Sequence, residues 1–193
     1  MRVGVLVSGR GSNLEAILLH SPPNVEPAVV ISNRPGVRAL DVASAGGVEA
    51  LVLSRSQFGG DAAARDAAVA AALNERDVEL AVLAGYDQLL TSAYFRDFAG
   101  RTINVHPSLL PAHGGRGMVG MAVHAAVLAG GDEETGATVH EVTPDLDAGH
   151  VLAQSRVPVL PGDDAEALAA RVLEVEHRLL VETLALIADG API

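Results

Sequence analysis

The sequence predicts an open, doubly wound α/β fold on a mostly parallel sheet, closed by a C-terminal β-hairpin and one long helix. Three observations predict it. Short β-branched runs alternate with longer helical stretches from the first residues onward, the pattern of strand–helix–strand units. Two later strand-like runs follow one another with only a turn between them. The closing stretch carries apolar residues at helical spacing.

Taken in order, Val3 to Val7 reads as a buried first strand, then a glycine turn, then a helix from about Leu14 to His20. Val25 to Ser32 is the second strand, and Val37 to Ala45 is a helix stopped by Gly46-Gly47. Val48 to Leu53 is the third strand, Asp61 to Glu75 an alanine-rich helix, and Val78 to Ala84 the fourth strand. A short helix closes over Phe95 to Gly100, and a fifth strand, Arg101 to Val105, leads into His106-Pro107. Pro107 to Gly120 is too rich in Gly and Pro for regular structure and reads as an ordered loop. A helix over about Met121 to Leu128 follows, then a hairpin of Thr135 to Val142 and His150 to Val157. From Asp164 to Ala188 a long helix presents Leu168, Val172, Val175 and Leu179 on one face.

The length of 193 residues suits one domain, and 49% hydrophobic residues with dispersed charge suit a folded core. A formal net charge of -11 argues against nucleic acid as a partner, because phosphate contacts need a basic face. There is no Cys, which excludes disulfides, thiolate zinc sites and a thiol nucleophile. All thirteen basic residues are Arg, which excludes a lysine Schiff base and the lysine of an ATP-binding loop. A strand begins at once and no run approaches membrane-spanning length, so the expected compartment is the cytoplasm, with no membrane partner.

Three places carry chemistry. Gly9-Arg10-Gly11-Ser12-Asn13 lies at a strand-to-helix turn, where backbone N–H groups and the side chains of Ser12 and Asn13 suit a phosphate. The bland alternative is a tight turn capped by Ser12 or Asn13. A dinucleotide site is disfavoured, since Leu14 stands where its third glycine belongs and Asn33-Arg34 where its acidic residue belongs. Second, strand periodicity sets Asn104 and His106 on one face at the carboxyl end of the fifth strand, the edge where open α/β sheets bind ligands. An amide and an imidazole there suit a carbonyl oxygen that gains negative charge; the alternative is a histidine that ends a strand. Third, Asp145-Leu146-Asp147-Ala148-Gly149 offers two carboxylates at the hairpin turn, either to favour a protonated imidazole or as ordinary turn residues. His140, in the strand before that turn, could support the site, while His20, His113, His124 and His177 read as surface or helix-packing residues.

The chain resembles the glycinamide ribonucleotide formyltransferase family over essentially its full length. The matching stretches are Ser8-Gly9-x-Gly11-Ser12-Asn13-Leu14, Leu83-Ala84-Gly85-Tyr86, and Ile103-Asn104-Val105-His106-Pro107-Ser108-Leu109-Leu110-Pro111. They continue through Thr138-Val139-His140, Leu146-Asp147-x-Gly149 and Glu176-His177. The resemblance implies a Rossmann-like formyltransferase fold, a single domain over 1–193. In it, about 1–100 would bind the nucleotide phosphate and about 101–193 would hold the catalytic and folate-binding groups. It implies Asn104, His106 and Asp147 as the catalytic set, with 10-formyltetrahydrofolate as formyl donor and no metal. Asp147 would favour the protonated form of His106 and help to shuttle protons. Gly11, Ser12 and Asn13 would hold the ribonucleotide phosphate and Glu176 the ribose. Folate would lie along Asp87, Gln88, Leu89 and Leu90, with Asn104 and Arg65.

Two stretches depart from the family pattern: Asp87-Gln88 stand where many members carry Met-Arg, and Gly114-Gly115-Arg116-Gly117-Met118 replaces a shorter Pro-Gly loop. The expected partners are small-molecule substrates, in a monomer or homodimer. A methionyl-tRNA formyltransferase would carry a C-terminal RNA-binding domain, and a formyltetrahydrofolate hydrolase an N-terminal regulatory one; length disfavours both. A non-catalytic binder on the same scaffold would be expected to have lost one of Asn104, His106 and Asp147.

Overall fold

The computed structural model describes residues 1–191 and divides into two compact units, Met1–Ile103 and the chain from Asn104 onward. The first unit holds β1 (Arg2–Val7), α1 (Ser12–His20), β2 (Glu26–Ser32), α2 (Arg38–Ala45) and β3 (Ala50–Val52). It continues with a single 3-10 turn (Arg55–Phe58), α3 (Ala62–Asn74), β4 (Leu80–Leu83) and α4 (Ser92–Asp97). Its strands run in the order β3-β2-β1-β4 and pair in parallel. Val3, Val5, Leu6 and Val7 of β1 are all fully buried. That unbroken run, without alternation, is what a strand covered on both faces by helices requires. At Gly4 an added Cβ would stand 2.3 Å from the Leu73 side chain, so α3 packs against β1 where β1 has no side chain.

The strand β5 (Arg101–His106) crosses the boundary, and its carboxyl end belongs to the second unit. That unit adds α5 (Met121–Gly130), β6 (Glu134–Glu141), β7 (Val151–Pro158) and α6 (Ala165–Ala188). The pair β6–β7 is antiparallel, the expected hairpin, and its register slips between Val139 and His140. Val127, Val157, Leu168 and Val172 form a buried core between α5, β7 and α6, with Val175 packed against it. The fold is therefore the open, mostly parallel α/β class that the sequence predicts, with seven strands among the described residues and a hairpin formed by the last two of them.

Most element ends fall within a residue or two of those read from the sequence, and the capping residues explain the offsets. Asp61 and Asp164, read as first helical residues, are N-caps whose carboxylates accept backbone N–H groups of the first turn. One helix is displaced: α4 spans Ser92–Asp97, not Phe95 to Gly100. Its start is fixed early because Thr91 N–H donates to Asp66 Oδ2 at 2.6 Å. Its end is fixed because a Cβ at Gly100 would lie 2.6 Å from the Glu79 carbonyl, where the chain is already passing close to its neighbour. The turn Arg55–Phe58, between β3 and α3, is stabilised by a reciprocal Ser54–Gln57 capping box.

Candidate active site

Asn104 and His106 do share a face at the carboxyl end of β5, and side chains from β6 and the hairpin turn meet them there. His106 is 4% exposed. Its Nε2 lies 2.9 Å from the carbonyl oxygen of His113. A carbonyl can only accept, so Nε2 carries a proton and donates it. The other nitrogen, Nδ1, faces Asp147 Oδ2 at 3.9 Å, too far for a direct hydrogen bond but within ion-pair distance whenever the ring carries a second proton. Asn104 Nδ2 lies 3.1 Å from His140 Nε2, and Asp147 Oδ1 stands 3.8 Å from that same nitrogen. One carboxylate thus addresses both imidazoles, one oxygen to each. Asp147 reaches them from a left-handed backbone conformation, φ 53°, which a short polar residue tolerates better than a branched one.

The loop after β5 is ordered by its backbone contacts. Thr138 Oγ1 donates to the Ser108 carbonyl at 2.6 Å and accepts the Leu110 N–H at 3.0 Å. Gln154 Nε2 donates to the Leu110 carbonyl at 2.8 Å, and Ser108 Oγ to the Ala112 carbonyl at 2.6 Å. Further on, Gly115 N–H donates to Asp147 Oδ2 at 2.8 Å, so the carboxylate holds the glycine-rich stretch as well as facing His106. His113 pairs through Nε2 with Asp132 at 2.6 Å, which steadies the residue whose carbonyl meets His106.

In the first unit, Gly11 is the N-cap of α1 with φ 77°, and an added Cβ would be 2.8 Å from Ala39 Cα. Neither Ser12 nor Asn13 is the cap, which corrects the plain capped-turn alternative. The helix ladder begins with Glu15 N–H to the Gly11 carbonyl, so the N–H groups of the first turn are presented at the helix end, a favourable place for an anion.

The formyl transferase family model matches residues 1–184. Phosphoribosylglycinamide formyltransferase of Escherichia coli is 37% identical over 98% of this chain and 88% of its own length. The chain belongs to the formyl transferase family, in its phosphoribosylglycinamide formyltransferase branch. The crystal structure of glycinamide ribonucleotide transformylase 1 from Symbiobacterium toebii aligns with a TM-score of 0.90 at 40% identity, covering 98% of this chain and 88% of that one. The trifunctional purine biosynthetic protein adenosine-3 of Gallus gallus is 39% identical over 99% of this chain, which spans only 19% of that longer relative.

Among the residues that the formyl transferase resemblance singles out, Gly11, Ser12, Asn13, Arg65 and Asp87 to Leu90 lie in the first unit. Asn104, His106, Asp147 and Glu176 lie in the second. Glu176 is buried on α6. Arg65, 1% exposed, donates from Nε and Nη2 to Asp66 Oδ1 at 2.9 and 2.6 Å, and from Nη1 to Gln88 Oε1 at 2.9 Å. Asp87 N–H donates to Ser8 Oγ at 2.9 Å, Asn33 Nδ2 donates to its Oδ1 at 2.8 Å, and Arg34 pairs with its Oδ2. Partial burial alone would push the Asp87 carboxyl up, but hydrogen bonds from Gln88, Asn33 and Ser8 and the charge of Arg34 outweigh it and hold the group below its usual range. The residues that depart from the common Met-Arg pair therefore tie the segment after β4 to the ends of β1 and β2.

Sequence reasoning missed one histidine. His113, taken as a surface or packing residue, supplies the carbonyl that engages His106. His124 packs on α5 as the sequence suggests: it is 4% exposed, and burial followed by the charge of His106 pushes its pKa down. No helix among the described residues is long and apolar enough to cross a membrane, and no cluster among them has the makeup of a metal site.

Proposed function

We propose that the chain transfers the formyl group of 10-formyltetrahydrofolate to the amine of glycinamide ribonucleotide, a formylation step of purine biosynthesis. The observation that carries this reading is the meeting of Asn104, His106, His140 and Asp147, with Asp147 3.9 Å from one imidazole and 3.8 Å from the other. Such a set suits acyl transfer between amines. As the substrate amine adds to the formyl carbon, Asn104 donates an N–H to the oxygen that gains negative charge. The new C–N bond leaves a proton on the attacking nitrogen, and the bond to the folate nitrogen breaks only as that nitrogen gains a proton. His106 handles this exchange at Nδ1, since Nε2 is engaged by the His113 carbonyl. Asp147 stabilises the imidazolium from the Nδ1 side.

The phosphate is assigned to the turn at Gly11, Ser12 and Asn13, where the first-turn N–H groups of α1 suit an anion without any lysine. Glu176 is assigned to the ribose, and folate to the backbone of Asp87 to Leu90. Arg65 is spent on Asp66 and Gln88, which favours holding that segment over touching folate itself. With small polar substrates and a net charge of -11, we place the protein in the cytoplasm.

The test is turnover of the two substrates by the purified chain. Transfer should occur and should fall by about 10²–10⁴-fold in His106→Ala. Unaltered turnover in that variant would defeat the assignment, and release of formate without the ribonucleotide would point to a hydrolase.

A further inference from the structure

We propose that His140 is a positioning residue for Asn104, a neutral imidazole whose bare Nε2 decides which way round the Asn104 amide sits. The inference deepens the formyl-transfer reading and rests on it. His140 Nδ1 lies 2.9 Å from the carbonyl oxygen of Glu141, which can only accept, so the ring proton is on Nδ1. A neutral ring then has a lone pair on Nε2, and that lone pair meets Asn104 Nδ2 at 3.1 Å. Turned over, the amide would set its oxygen against the same lone pair, two acceptors face to face. The hydrogen bond therefore keeps the nitrogen toward His140 and leaves the second N–H of that nitrogen for an incoming oxygen. An amide in a solvent-filled site has no such preference; here the bare Nε2 of His140 imposes it.

The backbone is shaped to the purpose. The β6–β7 register slips at Val139/His140, the kind of irregularity that re-aims a side chain beside a site. Gly149 leaves space for the Glu141 carbonyl, since a Cβ there would stand 1.8 Å from that oxygen. The glycine two residues after Asp147 thus protects the acceptor that fixes the His140 tautomer.

The groups facing His140 are Asn104 and His106 from β5, Asp147 from the hairpin turn and the carbonyl of Glu141. A proton on Nε2 would turn that nitrogen from acceptor to donor, with Asp147 Oδ1, 3.8 Å away, as its nearest charged partner. Burial first, and the charge of His106, push the His140 pKa down and outweigh the opposite pull of the Glu141 carbonyl and Asp147. The neutral form required by the geometry is thus the favoured one.

The experiment compares His140→Leu, which removes the acceptor, with His140→Gln, whose Oε1 can replace it, each with and without Asn104→Ala. The expected result is a fall in kcat of about 10–100-fold in His140→Leu with KM little changed, and recovery of most of the rate in His140→Gln. In the Asn104→Ala background the Leu substitution should cost nothing more, because its effect runs through the amide. An equal loss in both backgrounds, or a folded Gln variant as slow as Leu, would overturn the proposal. The ¹⁵N spectrum of His140 reads the tautomer without turnover: Nδ1 should appear protonated and Nε2 bare at neutral pH. If the wild type forms no product, the functional reading fails by itself, and the spectrum alone decides the tautomer and its amide contact; a proton on Nε2 would overturn both.

Discussion

The segment after β4 and the segment after β5 each leave the carboxyl end of a strand, yet they are held by different means. Tyr86 to Thr91 is clamped by side chains: Asp66 accepts the Thr91 N–H, Arg65 reaches Gln88, and Ser8 and Asn33 hold Asp87. The loop from Pro107 is pinned first by Thr138 and Gln154 and farther along by His106 and Asp147 themselves. The first arrangement separates support from chemistry. The second merges them, because the carboxylate facing His106 is also the group that holds Gly115. A change in the first clamp should be felt as stability, and a change in the second chiefly as rate.

The sharpest way to break this contrast is Asp66→Ala. It strands the buried Arg65 guanidinium and the Thr91 N–H together, at a cost of about 3–5 kcal/mol measured by urea denaturation. A loss under about 1 kcal/mol would show that the pair is not the anchor its burial indicates. Next comes Asp147→Ala. Its kcat should drop about 10²-fold or more, while the denaturation midpoint moves by the equivalent of about 1 kcal/mol, one lost loop hydrogen bond. Equal damage to both quantities would dissolve the distinction between the two regions.

The smallest effect is one of pH. His124 and His140 both have pKa values held below the ordinary 6.5, and both lie in the second unit, whereas the first unit's only histidine, His20, is exposed. Below 6.5 the unfolded chain binds protons that these folded rings refuse, so stability is complete above that value and declines as pH falls through it toward the lowered pKa values. Denaturation midpoints should be lower at about pH 5.5 than at about pH 7.5, with a shallower decline in His124→Gln. An identical decline in that variant would remove His124 from the account.

Most of the fold was legible because hydrophobic periodicity and glycine punctuation are local signals. Val3 to Val7, the hairpin and the apolar face of α6 all follow from spacing within a few residues. α4 was misplaced because its limits are set by partners distant in sequence, Asp66 at one end and the Glu79 backbone at the other. At the site, residue types pointed to Asn104, His106 and the two carboxylates of the hairpin turn, and the family resemblance singled out Asp147, but spacing carries no information on which nitrogen of a ring bears the proton. That depends on the carbonyls of His113 and Glu141, and a carbonyl leaves no trace in the identity of its residue. His113 was passed over for this reason: its backbone, not its ring, meets His106.

Gly11 and Ala39 share one small volume, since the missing side chain of the first is filled by the backbone and methyl of the second. The two positions consequently behave as a single locus for anyone redesigning the protein. Enlarging either alone would drive α2 away from the start of α1, and a library that varies them independently would consist mostly of misfits.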